Sequence, residues 1–539
     1  MLTHSRRILQ LVAFNLVVAA TLGSTARAQR PTPLIVPIHH GKPLPQTQQS
    51  SSSGFWSELH FSPFFVLFNG ATNPILLTDG TVLVQDTGDG NWATLTPDAN
   101  GSYINGAWSG FSPLPDGYAP NIHSSAVLPD GRVLVEGGKF NEQQNGNFSP
   151  VQTDMGAIYD PATGLWTLVA PPPGWSTIGN GPAIILANGT YMQGNCCTNQ
   201  VALFDAKTLT WTATGPAKST QNENQGWTLL PNGEVLTVNS YVGNYMPLGT
   251  SSELYDPRAG SWHGAGSTIA QLWDSQAGCG IPDPSFEIGP GILMPEGKIF
   301  YAGANTCPDA SGNTAIYNTR TGQWTPGPTF PNGLDMATGP AAVEPNGKVL
   351  LMASPGIYTR SSQFFEWDGK SLAPAPQSDY ASQDSSFQGN MLVLPTGQIL
   401  LTDLTEDVEI YTPAAGYRDD WAPEINHIHG ASHRRSTWEL LSGQTYKISG
   451  RRFNGMTQGT SYGGGAQQSA TNYPLLRIIN DSTGHVFYCR THDHSSMAVD
   501  SEREVSTFFD VPSTIETGPS KLEVVTNGIP SRPEHVEVY

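Results

Sequence analysis

The sequence predicts an all-β protein: a seven-bladed Kelch-type β-propeller followed by an immunoglobulin-like β-sandwich. Three observations carry that expectation. A glycine-turn hairpin recurs seven times; an aromatic residue and a tryptophan recur seven residues apart; and both patterns stop near residue 422 while strand-like alternation continues.

The hairpins are LLTDGTVLV, VLPDGRVLV, IILANGTYM, LLPNGEVLT, LMPEGKIFY, VEPNGKVLL and VLPTGQILL, turning at Asp79, Asp130, Asn188, Asn232, Glu296, Asn346 and Thr396. Their spacing is roughly 50 residues, the length of a Kelch unit. Glycine after the turn residue supplies the left-handed backbone that a tight hairpin needs. The second repeat is GAIYDPATGLW, SSELYDPRAGSW and NTAIYNTRTGQW, with weaker copies ALFDAKTLTW and VEIYTPAAG. It sets Tyr159 with Trp166, Phe204 with Trp211, Tyr255 with Trp262 and Tyr317 with Trp324. Each unit reads as four short strands, which bury their faces only against neighbouring units. The seventh unit lacks a tryptophan strand, and GFWSELHF at 54–61 copies one ahead of the first hairpin. It is expected to close the ring.

The predicted organisation is a signal peptide over 1–28, a Pro-, Gln- and Ser-rich lead-in over 29–53, the propeller over 54–421 and the sandwich over 422–539. Arg6 and Arg7, the apolar run ILQLVAFNLVVAATL and Ala-Arg-Ala before Gln29 have the order of a secretory signal. No second apolar stretch long enough to span a bilayer follows, so the expectation is a secreted or periplasmic protein without membrane insertion. A formal charge of −19 argues against nucleic acid and anionic lipid as partners.

An exported chain with 5 cysteines should pair some of them. Cys279 and Cys307 share one glycine-rich region around one hairpin and are the expected disulfide. The adjacent Cys196 and Cys197 suit strand-end packing better than redox or zinc chemistry, and the odd count leaves a free thiol.

An exported Kelch propeller followed by such a sandwich resembles the galactose oxidase family of copper radical oxidases, from about residue 55 to the end. The resemblance implies copper on the propeller axis, held by two tyrosines and a histidine from the blades and a second histidine from the sandwich, one tyrosine being cross-linked to a cysteine. Thr491 and His492 in CRTHDHSSM match the sandwich histidine motif. The other positions depart from the family: NIHSSAVLPDGRV places Ile122, followed by His123, where the cross-linked tyrosine belongs; SFQGNMLVLPTGQ places Phe387 and Gln388 where the tyrosine–histidine pair belongs; ATNPILLTDG has no cysteine; and Phe140 in EGGKF replaces the stacking tryptophan. Without phenolates the radical chemistry has no carrier, and no cofactor is expected, copper being the alternative.

His492 and His494 alternate along a strand, so both imidazoles could face one ion, with His123 as a third ligand if the two regions meet. The same residues with Asp493, namely His123, His492 and Asp493, are the acid–base candidates of an enzyme reading. His427, His429 and His433 read as a solvated connector. YGGGAQQSATNYP, 462–474, offers a long loop with neutral polar groups suited to sugar hydroxyls. The expected function is binding of a neutral carbohydrate or a cell-envelope component at the propeller mouth, with Phe140, Gln388 and Trp227 as contacts and Trp175 and Trp273 as further aromatic surface. The alternative is an enzyme on the same scaffold, either a copper radical oxidase or a non-radical carbohydrate-active enzyme.

Overall fold

The computed structural model describes residues 53–539 apart from 62–68, 144–146, 150–151, 216–217, 241–248, 275–285, 305–311, 435 and 465–469. The expected signal segment, most of the lead-in and both Cys279 and Cys307 lie outside the described residues.

Seven antiparallel sheets form the propeller blades, each running outward from an innermost strand that begins at one face of the ring and ends in a glycine hairpin at the other. The hairpin glycines Gly80, Gly131, Gly189, Gly233, Gly297, Gly347 and Gly397 all adopt φ between 69 and 90°. A side chain there would be strained, which is why glycine recurs at that turn. The paired aromatics sit directly opposite each other across the two outer strands: Tyr159 faces Trp166, Phe204 faces Trp211, Tyr255 faces Trp262 and Tyr317 faces Trp324. Their rings lie 4.9–5.3 Å apart, the range of tilted aromatic packing.

The strand Phe55–Glu58 pairs with Val408–Thr412 and completes the seventh blade. Trp56 faces Tyr411 there, at 5.1 Å, so the closing strand reproduces the aromatic pair of the other units. The outer tryptophans also tie successive blades: the indole N–H of Trp166 donates to Ser112 O at 3.1 Å, that of Trp211 to Ala170 O at 2.8 Å, and that of Trp56 to Pro376 O at 2.9 Å. A blade therefore buries its apolar face and satisfies a polar atom against the same neighbour.

Beyond the short 3-10 turn Asp419–Trp421 the chain forms one curled sheet. Its sequence of neighbours is Glu424–His429, Thr445–Arg451, Val505–Asp510, Val486–His492, Leu475–Asn480, Gly518–Thr526, Glu534–Val538, Thr437–Leu440 and Ser432–Arg434. Ile428, Ile448, Leu476, Phe509, Leu522 and Val536 share its core. Cys489 lies in that core as a free, buried thiol, and burial pushes its pKa up.

This sheet covers the hairpin face of the ring, and CRTHDHSSM is the strap that fastens it. Thr491 N–H donates to Thr78 O at 3.1 Å, His494 N–H to Pro129 O at 2.9 Å and Met497 N–H to Ala187 O at 3.0 Å, so one segment engages the turns of the first three blades.

A second segment of the curled-sheet region enters the channel. Thr460–Tyr462 adds a fifth strand to the inner edge of blade six, with Tyr462 opposite Pro340 and Thr460 opposite Ala342. The chain thus rises from the hairpin face to the open face. Gly463 N–H then donates to Gly339 O at 2.9 Å. A Cβ on Gly463 would run into the Ile288 carbonyl, which explains glycine at this close approach. The returning arm passes Thr471, whose hydroxyl donates to Asn527 Oδ1 at 2.7 Å, and Tyr473, whose hydroxyl donates to Leu76 O.

Candidate functional site

The innermost strands begin at the open face, and the residues just before them define its mouth. Glu287 precedes Gly291–Met294, Thr338 precedes Pro340–Val343, and Phe387 and Gln388 precede Asn390–Val393. Tyr358, from the loop between the second and third strands of blade six, reaches the same place and meets Phe387 edge to face at 5.3 Å. Tyr462, carried up by the inserted strand, donates its hydroxyl to Phe387 O at 2.6 Å. Ala304, Ala337 and Ile357 floor this aromatic patch.

Beside the patch lies an acidic wall. Thr338 donates its hydroxyl to Glu287 Oε2 at 2.7 Å, and Asp274 N–H donates to Glu287 O at 2.9 Å. Burial raises the pKa of Glu287, while the nearby Lys139 charge lowers it and Glu223 and Asp274 raise it. Burial also raises the phenol pKa values of Tyr358 and Tyr462, reinforced by the Glu287 charge. The mouth is therefore a partly buried aromatic surface flanked by acceptor oxygens, with the Lys139 charge nearby.

The residues singled out from the sequence divide between the two faces. His123 lies at the open-face end of the strand Ser124–Val127. It is fully buried, hydrogen-bonded through Nε2 to Gln85 Oε1 at 2.8 Å and packed at 5.9 Å from Trp92, and burial pushes its pKa down to about 4. His494 contacts Pro129 at the opposite end of that strand. The intervening six residues span about 20 Å, so the structure does not bring His123 together with His492 or His494.

His492 sits between Asp493 and Asp510, with Nδ1 2.8 Å from Asp493 Oδ2 and Nε2 3.4 Å from Asp510 Oδ1, and stacks on Phe508 at 5.8 Å. His494 is buried, joined through Nδ1 to Thr507 Oγ1 at 2.8 Å and stacked on Tyr473 at 6.2 Å. Burial pushes its pKa down to about 3. Both belong to the covered face. Among the described residues no group of three or more His, Cys, Asp or Glu side chains is arranged to hold a metal.

Of the expected ligand contacts, Gln388 is at the mouth, where its Oε1 accepts from Ser385 N–H at 3.0 Å and caps a short turn. Trp227 is fully buried in the packing between blades, 5.8 Å from Trp262, so it does not line the mouth. Trp273 is likewise buried, its indole donating to Gly249 O at 2.7 Å. Phe140 is buried at the open face, paired in a small sheet with Asn121. The adjacent cysteines differ from the expectation of simple packing: Cys196 and Cys197 are joined in a disulfide within the open-face loop of blade three.

A copper radical site requires phenolates and imidazoles converging on one ion. The mouth supplies Phe387, Gln388 and Ile122 at the positions concerned, its two tyrosines are held as phenols, and His492 lies at the other face. The donor set does not fit copper.

No family model and no curated protein matches this sequence. Among solved structures, a fungal alcohol oxidase of the AA5 family in complex with copper is similar at 15% identity over 90% of this chain and 98% of that one, with a TM-score of 0.48. A catalytically inactive virginiamycin B lyase from Staphylococcus aureus with quinupristin is similar at 9% identity over 67% of this chain and 99% of that one, TM-score 0.44. The extracellular domain of the hybrid two component system BT4673 from B. thetaiotaomicron is similar at 11% identity over 90% of this chain and 60% of that one, TM-score 0.42. At these values none of them fixes a residue role or a reaction in this chain.

Sequence reasoning missed Glu287, Asp274, Tyr358 and Tyr462. Their only signal was position: Glu287 precedes an innermost strand as His123 and Gln388 do, and Tyr462 precedes the three glycines that permit close approach.

Proposed function

We propose that this protein is an exported propeller that binds a neutral saccharide at its open mouth, with the curled sheet as an immunoglobulin-like base that fixes the channel strand. The observation that carries the reading is the aromatic patch of Tyr358 and Phe387 set against the Glu287 and Asp274 oxygens. Sugar rings present C–H faces to aromatic planes and hydroxyl donors to acceptor oxygens, and this mouth offers both. Its acidity, matched by the −19 charge of the chain, disfavours uronate or sulfated glycans. No helix among the described residues is long and apolar enough to cross a membrane.

The test is calorimetric titration of the full chain with neutral gluco-, galacto-, manno- and xylo-oligosaccharides beside oligogalacturonate. Saturable binding of a neutral series, lost in Phe387→Ala and retained in His492→Ala, supports the reading. Binding that prefers the uronate, or survives Phe387→Ala unchanged, contradicts it.

A further inference from the structure

The loop between Tyr191–Gly194 and Val201–Asp205, at the open face of blade three, carries the disulfide that joins Cys196 to Cys197. A disulfide stabilises a fold mainly by restricting the unfolded chain, and the effect grows with the length of the loop it closes. A bond between sequence neighbours closes the shortest loop there is and gives almost none of that effect. Nor does the loop depend on it. The Asn222 side-chain amide reaches Asn195 O at 3.2 Å, Thr198 O at 3.1 Å and Gln200 O at 2.9 Å. Cys196 N–H donates to Ile178 O at 3.0 Å, and Cys197 N–H to Asn195 Oδ1 at 3.1 Å. These contacts involve no sulfur, so opening the S–S bond leaves them in place.

The group that faces the sulfurs is Gln152. Its Oε1 lies 2.9 Å from Cys197 Sγ and also against Cys196 Sγ. A side chain on Gly179 would run into both that oxygen and Cys196 Sγ, so glycine at φ 62° makes the room in which they meet. The oxygen is an acceptor. A closed disulfide has no hydrogen to give it, whereas two thiols have one each. The surroundings therefore favour the opened pair, and a disulfide whose reduced form is stabilised is readily reduced. Cys196 is fully buried while Cys197 is partly exposed, which puts Cys197 on the side that a reagent meets.

We propose that Cys196 and Cys197 form a reversible thiol–disulfide site that exchanges with soluble thiols in the folded protein, with Gln152 as the residue that sets its poise. The site stands independently of saccharide binding. A thiolate attacks Cys197 Sγ, the S–S bond breaks, and Cys196 leaves as a thiolate that takes up a proton. A second thiol then displaces the first from Cys197, so two thiols leave as one disulfide and the protein gains two electrons and two protons.

The test equilibrates the full chain in a series of reduced and oxidised glutathione mixtures, quenches with acid, alkylates and maps Cys196 and Cys197 by peptide mass, with a thermal melt recorded in each mixture. The pair is expected to open within the series while the cooperative melt is retained, and to close again when the reduced glutathione is removed. Gln152→Leu should make the pair harder to open, raising the ratio of reduced to oxidised reagent needed by about fivefold, as the loss of two weak hydrogen bonds would. A pair that stays closed throughout the series, that opens only as the protein unfolds, or whose midpoint is unmoved or shifted the other way in a folded Gln152→Leu variant would overturn the proposal. The titration of the unaltered chain decides the matter even if the variant fails to fold.

Discussion

The two faces of the ring use their polar residues in opposite ways. At the hairpin face the strap from Thr491 to Met497 satisfies the turns of three blades, and its histidines are occupied by Asp493, Asp510 and Thr507. At the open face Tyr358 and Phe387 remain partly exposed beside Glu287. One face closes a junction; the other keeps surface for a ligand. The histidine-rich segment was the most conspicuous in the sequence, yet it lies at the junction, while the mouth is built from residues that draw no attention in a one-dimensional reading. Imidazole density is thus a poor guide to chemistry when the strand carrying it also spans an interface.

The sharpest way to break this contrast is to open the ring. Removing residues 54–61 takes away the strand that pairs with Val408–Thr412 and strips Trp56 from Phe364 and Tyr411, so both faces should fail together and the protein should be insoluble. Removing 29–50 should leave solubility and melting unchanged. Equal melting of the two truncations would show that closure does not depend on this strand.

Next in size is a pair of substitutions. His494→Ala removes a buried ring stacked on Tyr473 and one of the hydrogen-bond partners of the Thr507 hydroxyl, and should cost about 1–3 kcal/mol in denaturant unfolding. It should leave saccharide binding intact. Phe387→Ala should do the reverse, abolishing binding with little loss of stability because the side chain is partly exposed. A stability loss without a binding effect from Phe387→Ala would move the site elsewhere.

Stability against pH separates the faces further. His494 and His123 have folded pKa values of about 3 and about 4, below the unfolded value near 6.5. The unfolded chain therefore binds more protons, and stability should fall as pH drops from 6.5 toward 4. Asp407 and Glu409, near the open face of blade seven, are raised to about 7 by burial, with neighbouring carboxylates contributing. Their contribution is present below their unfolded values and is lost as pH rises through about 7. Between pH 4 and 6.5 these contributions have opposite slopes, so in unfolding titrations stability should fall less on acidification through that range in His494→Gln, and more in Glu409→Gln, than in the unaltered protein.

The smallest expected effect concerns copper. After incubation with Cu(II) and desalting, the protein should retain no stoichiometric metal and release no peroxide with galactose or small aldehydes, since His492 is isolated from any phenolate. Retained copper together with peroxide release abolished by His492→Ala would place redox chemistry at the covered face.

Much of the scaffold was legible because its signals are local. The seven hairpin glycines and the aromatic pairs are fixed by turn geometry and strand register, and even the closing strand was marked by its tryptophan. The site was far less legible. Trp227 was an expected mouth contact, yet it packs on Trp262 of its own blade and is fully buried. Tyr462 reaches the mouth only because a strand more than 100 residues beyond Pro340–Val343 returns to pair with it, a contact that no local pattern encodes. The Cys196–Cys197 bond had no spacing signature either.

A mouth that binds ligand and a strap that is structural make opposite demands on Phe387 and His492. The most direct measurement is calorimetric binding of neutral oligosaccharides to the unaltered protein, Phe387→Ala and His492→Ala in parallel. Saturable binding is expected to the unaltered protein and to His492→Ala, and none to Phe387→Ala. Binding lost in His492→Ala but kept in Phe387→Ala, with both variants folded, would contradict it.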